Sequence, residues 1–248
     1  MRKSIMEWAV EYVGDPSSFS SRGQLCLQFL QENGLQPGDK VLDLGCGALS
    51  QGIPLIRYLD QRCYVGVEPN GWLVEAAMEA NPDLEAKLPR FSWASDFNPV
   101  GLGPFKYVIA HSVLSHAADW QLDQAFLNVR ANVDPGAIWL ASLRLDQYDL
   151  GARRWVYPDV SYFRFDTVHV VGFHAGWHVE HLPEYRERMT SICPSDVHNW
   201  IRCTAVESAS EQNRIRLDED ARKREEQEIM EIATEEYRRR ATERYSND

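Results

Sequence analysis

Between Val41 and Arg144, short apolar runs alternate with helical segments. "KVLDLG", "CYVGVEP", "PRFSWAS", "FKYVIAHS" and "AIWLASLR" read as strands. "QGIPLIRYLD", "GWLVEAAMEA" (with Asn70 as its N-cap) and Asp119 to Val133 read as helices, and "DPG" turns the last of these into a strand. Parallel strands need crossover connections, and runs that are apolar on both sides belong to a sheet covered on both faces. The alternation predicts an α/β fold: a Rossmann-like, mostly parallel sheet with helices on both faces.

Flanking segments extend this plan. Ile5 to Val13 and Phe19 to Glu32 read as amphipathic helices, the second ended by Asn33-Gly34, and they form an N-terminal helical cap over residues 1–33. After Arg144 the rhythm breaks into a long aromatic stretch, residues 144–163, which is read as an insertion, since long loops often carry function. "DTVHVVGFHAGW" then reads as a helix, and "HVEHL" and "WIRCTAVES" as strands, so the main domain covers residues 34–207. Residues 208–248 contain no Gly or Pro and pair acids with bases four residues on, as in Glu235/Arg239. They read as a long charged helix that packs on the domain or pairs with another chain, giving a homodimer.

Bulk properties exclude some functions. The 248 residues are 44% hydrophobic, enough for a sizeable core, and the net charge of -11 opposes nucleic-acid binding, which draws on clustered Lys and Arg. No apolar run approaches the length of a membrane span. Glu7 and Glu11 stand where a signal peptide would have its apolar core, and five scattered cysteines form no CxxC. A cytoplasmic protein with reduced thiols is expected.

The stretch "VLDLGCGALSQG", residues 41–52, carries the chemistry. A strand running into a glycine turn and then a helix points backbone N–H groups at an anionic or polar ligand. Asp43 lies two residues before Gly45, where a nicotinamide-binding loop carries an apolar residue, and Ser50 replaces the third glycine of GxGxxG. Glu68 ends the second strand, where a carboxylate can accept both hydroxyls of a ribose. "SDF", Ser95 to Phe97, ends the third strand, where an acid and its neighbour can meet an adenine edge.

Through "VLDLGCG", "YVGVEPN", "ASDF" and "FKYVIAHSVLSHA", the chain resembles the class I S-adenosylmethionine-dependent methyltransferases over about Gly34 to Glu207. The resemblance implies a seven-stranded sheet with its last strand antiparallel, and S-adenosyl-L-methionine as cofactor with S-adenosyl-L-homocysteine as product. It places Asp43, Gly45, Cys46 and Gly47 at the methionine half, Glu68 and Pro69 at the ribose, Asp96 and Phe97 at the adenine, and His111 beside the cofactor. The family's commoner GxGxG has a third glycine where Leu49 stands, and Gly52 is expected to supply the flexibility instead. The pattern is similar to a branch acting on sugars and other small metabolites.

Methyl transfer from a sulfonium is an in-line displacement, so the protein aligns the reactants and excludes water. A hydroxyl acceptor also needs a base, and His116 is the preferred candidate, with His111 second. Tyr148, Arg153, Trp155 and Tyr157 of the insertion, with Trp8, Tyr12 and Phe19 of the N-terminal helices, are candidate walls for a small-molecule acceptor. His169, His174, His178 and His181 have no ligand spacing, and no metal site is expected. The expected activity is therefore O-methylation of a sugar, nucleotide sugar or similar metabolite. The rivals are a nicotinamide oxidoreductase, a cofactor-binding scaffold with a partner-recruiting helix, and a protein or RNA methyltransferase.

Overall fold

The computed structural model describes residues 3–206. The charged segment at 208–248, and with it the dimer expectation, lies outside the described residues. Two helices open the chain, α1 (Ile5–Tyr12) and α2 (Phe19–Glu32). There follow β1 (Val41–Leu44), α3 (Gly52–Tyr58), β2 (Tyr64–Val67), α4 (Gly71–Ala80), β3 (Arg90–Ser92), β4 (Phe105–Ala110), α5 (Asp119–Arg130) and β5 (Val133–Leu143). The last described elements are α6 (Phe165–His174), β6 (Trp177–His181), α7 (Pro183–Ile192) and β7 (Asn199–Ala205).

The seven strands lie in the order β3-β2-β1-β4-β5-β7-β6. β7 runs antiparallel to both neighbours and the other pairings are parallel. Because strand side chains alternate, β1 sends Leu42 and Leu44 to one face and Val41 to the other. The first face packs beneath α5 and α6 around Phe126, Trp139 and Val168. The second packs beneath α2, α3, α4 and α7 around Phe29, Leu55, Val74 and Tyr185. After β1 the chain goes to β2 on one side and later returns to β4 on the other. The reversal opens a crevice at the carboxyl ends of β1 and β4, where ligands bind in open α/β sheets.

Three local expectations need correction. Val133 starts β5 rather than ending a helix. The pairing with β4 shifts between Phe105↔Val133 and Tyr107↔Ile138, because the Asp134–Gly136 turn is taken up as an irregularity inside the strand. α7 has no counterpart in the sequence reading: its buried face is only Tyr185 and Met189, four residues apart among charges. Asn70 does precede α4, but its side chain makes no capping bond. Residues 144–163 contain no helix or strand and are pinned by the isolated bridges Leu145↔Phe163, Leu150↔Tyr162 and Ala118↔Ala152.

Candidate functional site

A cavity of about 380 Å³ occupies the crevice, lined by the loop after β1, the ends of β2 and β4, α1, α2 and the insertion. Gly45, Gly47 and Leu49 all have positive φ, at 68°, 51° and 60°. Gly45 also has no space for a side chain, since a Cβ there would lie 2.3 Å from Val113 Cγ2. Leu49 itself adopts the left-handed backbone that the missing glycine would have taken, and its fully buried side chain in the core offsets the cost. Gly52 does not supply that flexibility, because it lies in the first turn of α3.

The loop contributes shape more than donors. The N–H groups of Gly45 and Cys46 donate to the Val67 carbonyl, and Gly47 N–H donates to Glu68 Oε2 at 3.1 Å. Glu68, on the cavity wall, also accepts from Asn70 N–H through Oε1 at 2.9 Å. Each carboxylate oxygen keeps a second lone pair for a ligand hydroxyl. Pro69 and Phe97 line the same wall, whereas Asp96 does not. Asp96 is exposed and its carboxylate accepts from Asn98 N–H at 3.2 Å.

Asp43 does not line the cavity either. Fully buried behind the loop, it accepts from Tyr64 Oη at 2.7 Å and from Gln51 Nε2 at 3.2 Å. Burial, against the effect of these two bonds, raises its pKa to about 7. A carboxyl whose folded pKa lies above its unfolded value favours the fold at low pH and loses that contribution as pH rises toward 7. Asp43→Asn is therefore expected to gain stability over the wild type at pH 8, and the gain should shrink as the pH falls toward 5. Urea unfolding of both proteins across that range checks this, and a pH-independent difference would contradict it.

Another part of the cavity wall gathers around His116. Its Nδ1–H donates to the Asp159 carbonyl at 2.6 Å, which leaves the lone pair of the neutral ring on Nε2. Burial lowers its pKa, partly opposed by the carbonyls of Asp159 and Ser112. The ring lies against Tyr157 and Trp155, with centroids 4.9 and 5.8 Å away, and all three residues line the cavity. Tyr157 Oη donates to the Tyr12 carbonyl, so the insertion is fastened to the end of α1. Tyr148 and Arg153 stand away from this cavity: Tyr148 is exposed, and the Arg153 carbonyl accepts from Trp120 Nε1. Trp8 is also exposed, and Phe19 packs in a small core cluster with Ala9 and Ala48.

Two features escape a reading of the sequence. Arg22 of α2 lines the cavity with only 8% of its surface exposed. Among the described residues its Nε has no partner, and its one hydrogen bond runs from Nη2 to the Asp15 carbonyl at 3.3 Å. Among the described residues no carboxylate pairs with it. A buried guanidinium with unused donors is costly unless an anion joins it. α2 reaches the loop because Gly23 permits close contact, a Cβ there falling 1.9 Å from the Ser50 carbonyl oxygen. In sequence, "SSRGQ" looked like any polar turn of an amphipathic helix. The second feature is His198, paired with Asp196 at 2.8 Å, while Asp196 also meets His111 at 2.8 Å. His198 and Asp196 lie 87 and 85 residues from His111, with no spacing to link them.

No protein-family model matches the chain, and no curated protein does. Solved structures do. A magnesium protoporphyrin IX methyltransferase from Synechocystis PCC 6803, with bound SAM, matches with a TM-score of 0.56 at 15% identity, over 83% of this chain and 86% of that one. An S-adenosylmethionine-dependent methyltransferase from Clostridium acetobutylicum matches at 0.57 and 10% identity, over 76% and 92%. The [4+2]-cyclase SpnF matches at 0.53 and 15% identity, over 75% and 81%. The chain thus has the fold of the class I S-adenosylmethionine-dependent methyltransferases. At these identities the likeness concerns architecture, so reaction and ligand have to be argued from the site.

Proposed function

We propose that the chain is an S-adenosylmethionine-dependent methyltransferase that modifies a hydroxyl of a small molecule. The carrying observation is that Glu68 and the unpaired Arg22 line one cavity beneath a glycine loop. Glu68 suits the two hydroxyls of a ribose, and Arg22 suits a carboxylate, the charged end of the methionine half. Phe97 and Pro69 offer apolar surface for a flat base. The donor set fits the cofactor.

When bound, the cofactor supplies an electrophilic methyl group on a sulfonium. The chain's own residues then have three tasks. Glu68 and Arg22 hold the cofactor at two points and so fix its orientation. Tyr12, Trp155 and Tyr157 close the acceptor side and keep water from the displacement. His116, neutral at pH 7 and with its lone pair on Nε2, takes the proton of the acceptor hydroxyl. His111 also borders the cavity, but its Nε2 is engaged with Asp196, which disfavours it as the base.

A small acceptor agrees with a cavity of about 380 Å³ and with a net charge of -11, which opposes RNA binding. Among the described residues no helix is long and apolar enough to cross a membrane. The reading is tested by incubating the protein with methyl-labelled cofactor and a panel of hydroxylated metabolites. Transfer to one of them, with release of S-adenosylhomocysteine, is expected. Cofactor binding without transfer to any acceptor would favour the scaffold reading.

A further inference from the structure

We propose that His111, Asp196 and His198 form a binding site for a divalent first-row transition metal in the wall of the cavity. The two imidazoles and the carboxylate offer one ligand atom each, all within 4.8 Å of one another. His111 follows directly on β4, and Asp196 and His198 belong to the segment joining α7 to β7. The topology thus brings the cluster together where β5 alone separates β4 from β7.

Each imidazole meets a different oxygen of Asp196. His111 Nε2 lies 2.8 Å from Oδ2, and His198 Nδ1 lies 2.8 Å from Oδ1. The surroundings orient the ligands as outer partners do at metal centres. His198 Nε2 is 3.2 Å from Ser115 Oγ and 3.4 Å from Ser112 Oγ, which leaves Nδ1 as the nitrogen turned to Asp196. The His111 ring stacks on Trp200, with centroids 5.3 Å apart and planes 12° from parallel. The Asp196 carbonyl accepts from Thr190 Oγ1 at 3.1 Å.

Neutral imidazole nitrogens with one carboxylate oxygen and no thiolate match Zn²⁺, Mn²⁺, Fe²⁺, Co²⁺ or Ni²⁺ rather than soft Cu⁺ or hard Ca²⁺. Three protein ligands leave coordination positions for water or an acceptor oxygen. His111 and Ser112 border the cavity, so the cluster sits against the space a small molecule would enter. On metal binding, the proton each neutral imidazole shares with Asp196 moves to its other ring nitrogen, Nδ1 of His111 and Nε2 of His198, the latter facing the Ser115 and Ser112 hydroxyls. Without a metal, the same three residues form a His–Asp–His hydrogen-bond network. The proposal does not depend on methyl transfer, since it concerns ligation by the chain itself.

The test uses the full chain, stripped with EDTA and dialysed. Zn²⁺ is titrated by calorimetry, and Co²⁺ by its visible absorption, which reports nitrogen and oxygen ligation directly. The wild type is expected to bind one equivalent of each. Asp196→Asn and His198→Gln should each weaken Zn²⁺ binding by about 100-fold or more, with unchanged circular dichroism and unchanged affinity for S-adenosylhomocysteine. No stoichiometric binding by the wild type, or wild-type affinity in His198→Gln, would overturn the site and leave the hydrogen-bond network. If Asp196→Asn does not fold, His198→Gln, at the more exposed edge of the cluster, and the wild-type Co²⁺ spectrum decide it.

Discussion

His116→Ala is expected to slow methyl transfer by about 10²- to 10⁴-fold, the usual contribution of a positioned general base. Affinity for S-adenosylhomocysteine should remain near that of the wild type, because Glu68 and Arg22 are untouched. His116 can act as a base because Asp159 fixes its tautomer and burial keeps its ring neutral. The pH profile provides a second readout. The wild-type rate should hold at pH 7 and fall on acidification once the pH drops below the lowered pKa of His116, and the variant should lack that limb. A variant with the wild-type rate and profile would show that the acceptor needs no base or that another group serves.

Arg22→Met should weaken S-adenosylhomocysteine binding by about 10- to 150-fold, the scale for losing charged hydrogen bonds worth roughly 1.5–3 kcal/mol. Binding of 5′-methylthioadenosine, which has no carboxylate, should hardly change. The free protein should meanwhile become more stable, since replacing a buried unpaired charge with an apolar side chain of similar length removes a desolvation cost. Calorimetry with both ligands and thermal unfolding without ligand measure these effects. Equal weakening for the two ligands would place Arg22 away from the carboxylate, and a lower melting temperature would make it a structural residue.

The sheet was legible because short apolar runs such as "FKYVIA" and "YVGV" leave little besides strands buried on both faces. The site was legible only where function is written in local sequence. The β1 loop and Glu68 follow directly on strands, so their place in the fold follows from the strand itself. Trp155 and Tyr157 were found by their position after β5, but that logic also selected Tyr148 and Arg153, which the cavity does not touch. Asp43 is assigned to the methionine half by the resemblance and by its place two residues before Gly45. Tyr64 and Gln51, which occupy it, come from a neighbouring strand and from the turn before α3, and only the fold joins them. Arg22 and His198 were illegible for the same reason. The significance of Arg22 lies in a missing partner, and that of His198 in a contact with Asp196 and His111 made by folding.

The most direct test of the central claim is calorimetric titration of the full chain with S-adenosylhomocysteine, with NADH as the control. The wild type is expected to bind one equivalent of S-adenosylhomocysteine and no NADH. Glu68→Ala should bind it about 5- to 150-fold more weakly, corresponding to roughly 1–3 kcal/mol. A folded wild type that binds no S-adenosylhomocysteine, or that binds NADH instead, would contradict it.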